Sequence, residues 1–255
     1  MFLMELGELP RADVAIFADP GWEGKAVYDH LDWLRRHTTI PIITVSKGNI
    51  LQDAQDAQDA QVRGKKQDGV RWASMPLYVL NDQRIVRGPG LTLWGLDEDE
   101  YTINLAEPEE GKIKRQCTTE YKLEPIEKWI KEHILDLKTR QHWPKEPEVI
   151  QVFGISHDEK SRMKAAPPWA MFEYPLVEMR WNRLRVIDWA QKHFPDHEFP
   201  RSACIGCPFH DNAEWRRIRD TDPTGWAQAV ALDEKIRNAG GMRGEVYLHR
   251  SCTPL

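Results

Sequence analysis

Two short apolar runs separated by an amphipathic stretch constrain this chain most. Asp13-Val-Ala-Ile-Phe-Ala reads as a buried strand, and the turn Asp19-Pro-Gly-Trp-Glu follows it. From Lys25 to about His37, Val27, Leu31 and Leu34 recur on one face of a helix, and Pro41-Ile-Ile-Thr-Val-Ser supplies a second strand. Parallel neighbours cannot be joined by a tight hairpin, so a strand, helix and strand of these lengths is the order a parallel pair requires. The expectation is an α/β protein with a twisted, mainly parallel sheet and flanking helices.

The 255 residues, 41% hydrophobic and 29% charged, suffice for one substantial core or a core with a small appendage, and exclude disorder of the whole. A net charge of −5 argues against a generally basic nucleic-acid binder and shifts attention to local clusters. Met1-Phe-Leu-Met-Glu-Leu-Gly-Glu has the character of neither a signal peptide nor an anchor, and no segment reaches membrane-spanning length, so no membrane partner is expected. Four cysteines without an export signal point to the reducing cytoplasm, where thiols serve metals or chemistry.

Further along, the threefold Asp-Ala-Gln tract within Asn49 to Gln61 offers no evident apolar face and reads as a solvated helix or loop. Arg71 to Leu80 has strand character, and 81–111 reads as an excursion, a hairpin by its turn residues. Ile126, Ile130, Ile134 and Leu137 mark an amphipathic helix over Glu120 to Leu137, with Pro125 near its first turn. Val149-Ile-Gln-Val-Phe-Gly-Ile is a strand leading into the polar loop Ser156-His-Asp-Glu-Lys-Ser-Arg, where an α/β sheet presents ligand sites. Helices are expected at about Arg183–His193, Ala213–Arg219 and Thr224–Ala239. The domain reading is an α/β domain over 1–170, with the 81–111 insertion, and a helical segment over 171–255 packed on it.

Cys117, the pair Cys204-Ile-Gly-Cys207 and Cys252 have the spacing of a metal site. A C-x-x-C pair brings two thiolates to one metal, and two more from distant segments complete four-fold coordination by zinc or an iron–sulfur cluster. If Cys252 is not a ligand, it is a candidate catalytic thiol that carries sulfur. Lys112, Lys114, Arg115 and Lys122 flank Cys117, while Arg162 and Lys164 follow Gly154, so these cations suit a phosphate or sulfate, with Arg115 and Arg162 the preferred contacts. His157, Asp158 and Glu159 read as loop residues and no catalytic base is assigned. His210 reads as an outer partner of the thiols or an alternative ligand, and Trp215-Arg-Arg-Ile-Arg, with eleven tryptophans in all, invites a nucleic-acid reading.

In order along the chain, Phe17-Ala-Asp-Pro-Gly-Trp-Glu, Arg115-Gln-Cys-Thr-Thr-Glu-Tyr-Lys-Leu-Glu-Pro-Ile, Gly154-Ile-Ser-His-Asp-Glu-Lys-Ser-Arg, Tyr174-Pro-Leu and Ser202-Ala-Cys-Ile-Gly-Cys-Pro-Phe-His resemble segments of the phosphoadenosine phosphosulfate (PAPS) reductase family, within the adenine nucleotide alpha hydrolase group. Ser202–His210 and Asn212-Ala-Glu-Trp-Arg resemble its uncharacterised phage-borne and mobile-element members most closely. The resemblance implies a transferase or oxidoreductase in sulfur transfer or nucleotide-activated modification, which binds ATP or a sulfonucleotide near Asp19, Gly21 and Lys122. It favours a 4Fe-4S cluster over zinc on Cys117, Cys204, Cys207 and Cys252. The family's first strand and Ser-Gly-Gly phosphate loop have no counterpart in these residues, Leu6-Gly-Glu-Leu-Pro resembling the end of the helix that follows that loop. Thr118 stands where the cluster-bearing reductases have a second adjacent cysteine, a place Cys252 could fill, and His249-Arg-Ser-Cys-Thr-Pro-Leu replaces their nucleophilic tail, which argues against sulfonucleotide reduction itself. The rival expectation is a non-catalytic iron–sulfur or zinc protein that binds nucleic acid or a protein partner.

Overall fold

Local order in the computed structural model follows the strand–helix–strand pattern closely, and residues 1–62, 74–92, 95–138, 140–238 and 244–255 are described. The chain divides into two compact units, Met1–Pro125 with Ser202–Leu255, and Ile126–Arg201, a division that runs elsewhere than at residue 170. Its cause is visible in the core of the first unit, where residues from both ends of the sequence interdigitate.

The first unit opens with α1 (Phe2–Glu5), which ends at Leu6 before Gly7 at φ 75°, where glycine avoids the Cβ clash of the left-handed region. Strand β1 (Ala15–Ala18), helix α2 (Lys25–His37) and strand β2 (Ile42–Val45) then form the expected crossover. β1 and β2 pair in parallel, from Ala15 opposite Ile42 to Ala18 opposite Val45, and α2 buries Val27 and Leu31.

Helix α3 (Ile50–Val62) corrects the expectation of a solvated tract, because Ile50, Leu51, Ala54 and Ala57 are buried. The small alanine side chains, three residues apart, permit close approach to a neighbouring helix, and a polar composition conceals that narrow stripe. The neighbour is α8 (Pro223–Ile236), whose Ala229, Leu232 and Ile236 are fully buried and whose Lys235 ammonium lies 2.9 Å from Asp59.

Strands β3 (Tyr78–Thr92) and β4 (Gly95–Lys112) form the hairpin expected of the excursion. Of the stretch read as a strand from Arg71, residues 71–73 lie outside the described residues. β3 also pairs antiparallel with β7 (Glu245–Tyr247), Val79 facing Val246. The core joins α3, Met75 and Leu77, Tyr121, α7 (Asn212–Thr221), α8 and β7. Full burial of each Leu or Ile there contributes about 1.5–3 kcal/mol.

The expected helix near 120–137 is helical over Thr119–Ile134, but α4 (Glu124–Trp129) is flanked by π-helical turns at Thr119–Leu123 and Ile130–Ile134. Pro125 has no amide to donate, and a wide turn just before it accommodates that loss. In the second unit β5 (Val149–Val152) and β6 (Ala170–Glu173) pair in parallel, with a 3-10 turn at His157–Arg162 after β5. Two helices follow, α5 (Pro175–Glu178) and α6 (Arg183–His193).

The molecule thus mixes helices with small parallel sheets. Its described strands form two separate parallel pairs and a three-stranded antiparallel sheet of order β4-β3-β7, in place of one continuous sheet. Among the described residues no helix is long and apolar enough to cross a membrane.

Candidate functional site: the cysteine loop and its buried acid

At the end of β1 the chain turns sharply through Asp19-Pro20-Gly21. Asp19 Oδ1 accepts hydrogen bonds from the Gly21 amide at 2.7 Å and the Tyr28 hydroxyl at 2.9 Å. Gly21 sits at φ 73° with Asn49 Cα 2.9 Å from where a Cβ would stand, so both conformation and space demand glycine. Asn49 donates to the Gly21 carbonyl at 2.8 Å and caps α3 by accepting from the Leu51 and Gln52 amides. The Asp19 carboxylate and the Gly21 amide are therefore engaged within the turn. Tyr28 is pushed up to about 12, first by burial and then by Asp19.

Trp22 and Glu23 next run alongside the C-x-x-C loop. Glu23 and Cys204 form an antiparallel bridge, and the Ile205 amide donates to the Trp22 carbonyl at 2.9 Å. Within the loop, the amides of Cys207 and His210 donate to the carbonyls of Cys204 and Cys207, both at 3.0 Å. The buried His210 ring joins through Nε2 to the Cys204 carbonyl at 2.9 Å and meets Trp215 edge-on. Sequence reasoning placed His210 near the thiols; it did not foresee that the carbonyl of Cys204 would be its partner.

Cys117 arrives from the other side, its amide donating to the Ser74 carbonyl at 2.7 Å. Burial pushes its thiol up, the Cys207 thiol adds to this, and Arg115 and Lys122 oppose it. Burial likewise drives Cys204 far up, followed by the Glu23 carboxylate, with Lys122 pulling down and Cys207 and Cys117 pushing up. Three cysteines from two distant segments thus share one electrostatic neighbourhood with Lys122.

Cys252 is placed differently. The tail is fixed by buried Asp233, whose carboxylate accepts from the Leu248 and Leu255 amides and pairs with Arg237. Cys252 is buried at φ 50°, and its thiol is raised by burial first and then by Glu110, with Arg237 opposing. It shares the neighbourhood of Tyr78 with Cys207.

Glu23 carries no role in the sequence reading. Its side chain is wholly inaccessible, and Oε1 lies 3.3 Å from the Lys122 ammonium. Burial raises the carboxyl, helped by the Asp19 charge, against the pull of Lys122 and of a hydrogen bond from the Ser202 side chain. On Lys122 burial pushes down, but Glu23 and the thiols outweigh it and its net shift is upward. No sequence motif marks Glu23, since its meaning comes from the strand pairing opposite Cys204.

Among the described residues no three His, Cys, Asp or Glu side chains stand in positions that would hold a metal ion. The donor types are those of a thiolate-bound centre: the desolvated thiols of Cys117 and Cys204, the Cys207 thiol acting on both, and a countercharge at Lys122.

The expected anion contacts are occupied within the chain. Lys122 pairs with Glu23, while Arg115 lies 5.5 Å and Lys112 5.1 Å from the ring centre of Phe209, which is 37% exposed. Arg162 belongs to the second unit, where it pairs with Glu159 at 2.8 Å. There Asp158 accepts from the Arg183 amide at the start of α6, and His157 Nδ1 lies 3.2 Å from the Val177 carbonyl, so both serve as joints of the loop. The second unit also carries a groove of about 470 Å³ along α6, between Trp181, Arg185 and Trp189.

No protein-family description, curated protein or solved structure matches the chain.

Proposed function

We propose that the chain is a PAPS reductase-like protein of the adenine nucleotide alpha hydrolase group. In this reading it holds a 4Fe-4S cluster, with zinc as the alternative, and acts on an adenine nucleotide, ATP or a sulfonucleotide, in cytoplasmic sulfur transfer or nucleotide-activated modification. One observation supports the reading above all: the desolvated thiols of Cys117 and Cys204 lie within electrostatic reach of each other and of Lys122, and the Cys207 thiol acts on both.

Such a centre supplies Lewis-acid or electron-transfer chemistry when bound. The protein's own residues do the rest. Trp22 and Glu23 hold the C-x-x-C loop, Lys122 offsets the negative charge of the thiolates, and Arg115 takes the anionic end of the nucleotide. Cys252 is the fourth ligand or, left free, a thiol that carries sulfur.

Anaerobic purification with iron, sulfide and zinc analysis, followed by calorimetric titration with ATP and adenylyl sulfate, tests this. Colourless protein with one zinc would remove the cluster. Replacing Arg115 by Ala should abolish nucleotide binding, and unchanged affinity would reject that contact.

A second reading, a non-catalytic centre that binds nucleic acid, has one observation in its favour: an exposed Phe209 between Lys112 and Arg115. The tryptophans speak against it. Trp215 is buried, and Trp33, Trp129 and Trp189 each stack on a histidine one helical turn later. Salt-dependent anisotropy of a labelled single-stranded oligonucleotide, lost in Phe209→Ala, would favour this reading.

A further inference from the structure

The turn that follows β7 carries a chain of side-chain hydrogen bonds in which the cysteine loop takes no part. His249 Nδ1 lies 2.6 Å from Ser251 Oγ, and His249 Nε2 lies 3.0 Å from Oδ1 of Asn212, the first residue of α7. Ser251 Oγ also lies 2.6 Å from Thr253 Oγ1. The backbone fixes the direction of these bonds. The Ser251 amide donates to His249 Nδ1 at 3.2 Å, so Nδ1 offers a lone pair, and the ring proton sits on Nε2 and is donated to Asn212. A contact of 2.6 Å between Nδ1 and the hydroxyl then needs the Ser251 proton between them, and Thr253 donates to Ser251 Oγ in turn.

A serine hydroxyl is a weak nucleophile on its own. It becomes effective where a base within hydrogen-bond reach takes its proton and a third group orients that base. Ser251, His249 and Asn212 stand in that order. The turn that carries two of them is firmly seated. Within it the Cys252 amide donates to the His249 carbonyl at 3.0 Å, and on either side of it Asp233, buried in α8, accepts from the Leu248 amide at 2.7 Å and the Leu255 amide at 3.3 Å. Ser251, Thr253 and Pro254 are exposed, so the hydroxyl is reached from solvent and the open setting suits a small acyl group.

We propose that Ser251 is the nucleophile of an acyl-transfer site that acts on short-chain carboxylic esters, with His249 as its general base and Asn212 as the positioning residue that holds the imidazole. Ser251 Oγ attacks the ester carbonyl carbon, and its proton passes to Nδ1. Collapse of the tetrahedral intermediate breaks the bond to the alcohol oxygen, which takes that proton from the imidazolium and leaves. Water, deprotonated by the same imidazole, then attacks the acyl-serine, and the proton returns to Ser251 as the acid departs. The site is independent of whether the cysteines hold a metal.

The test treats the full chain with a fluorophosphonate probe, maps the adduct by mass spectrometry and follows hydrolysis of p-nitrophenyl acetate. The expected result is label on Ser251 and turnover above the buffer rate. Ser251→Ala should lose both, although it keeps the backbone amide that engages Nδ1, and near-ultraviolet circular dichroism verifies that each variant folds. His249→Gln should slow labelling and turnover by about 10²–10⁴-fold. Asn212→Ala should lower kcat and spare KM, and Asn212→Asp should recover kcat, a split that a merely structural side chain would not produce. A wild-type chain that takes no label, label on another residue, or hydrolysis unchanged in Ser251→Ala would overturn the assignment.

Discussion

Gly206 lies inside the cysteine loop against the six-membered ring of Trp22, and replacing it by alanine probes how that loop is seated. A Cβ at Gly206 would stand 2.1 Å from Trp22 Cη2 and 2.3 Å from Cζ3. Carbon atoms settle near 3.5 Å, so ring and loop must separate by about 1.4 Å. The ring has little freedom to do so, because Trp22 is 3% exposed and its Nε1 donates to Gln228 at 2.9 Å. Overpacking of this kind costs about 1–3 kcal/mol. At this chain length each kcal/mol lowers the melting temperature by about 2–4 °C, which gives a drop of about 2–12 °C. The assay is a thermal melt of metal-free Gly206→Ala followed by tryptophan fluorescence, alongside Trp22→Leu and the double variant. Trp22→Leu removes the obstructing ring, so the double variant should cost less than the sum by about 0.5–3 kcal/mol. A melting temperature within a degree of wild type, or strictly additive costs, would refute the claim that Trp22 seats the loop.

Leu232→Ala should cost about 2–5 kcal/mol in urea denaturation, since the side chain is fully buried between α3 and β7, whereas Leu184→Ala, 71% exposed, should stay within about 0.5 kcal/mol. Glu5 is held down at about 2, below its ordinary 4.5, chiefly by the Thr38 hydroxyl. Its contribution is therefore complete above about pH 4.5 and disappears as the pH falls toward 2, and melts of Glu5→Gln from pH 6 to pH 2 should lose that part of the acid sensitivity. Asp19→Asn should move the Tyr28 hydroxyl from about 12 partway back toward its ordinary value of 10, as read by phenolate absorbance. The return is partial because burial, the larger cause, persists.

Much of the local architecture was legible because it depends on neighbours in sequence. The crossover from Ala15 to Val45 and the bounds of α2 and α6 follow from apolar periodicity and side-chain spacing alone. α3 was misread for a physical reason: alanine contributes little to a hydrophobic pattern, yet its small size is what lets α8 approach. The π-helical turns around α4 were likewise hidden, since the repeat of isoleucines is the same whether a turn closes on the fourth or the fifth residue.

The site divides along the same line. By itself the sequence determined that four cysteines are available, that two form a C-x-x-C pair, and that cations surround Cys117. Only the tertiary structure decided which of these residues are neighbours. It brought Cys117 to Cys204 and Cys207, set Cys252 among Glu110, Arg237 and Tyr78, spent Lys122 on Glu23, and buried that glutamate opposite Cys204. The reason is that the charge and desolvation acting on a thiol or carboxylate come largely from groups far away in sequence, 87 residues between Cys117 and Cys204 and 99 between Glu23 and Lys122, and only the packed chain brings them within range.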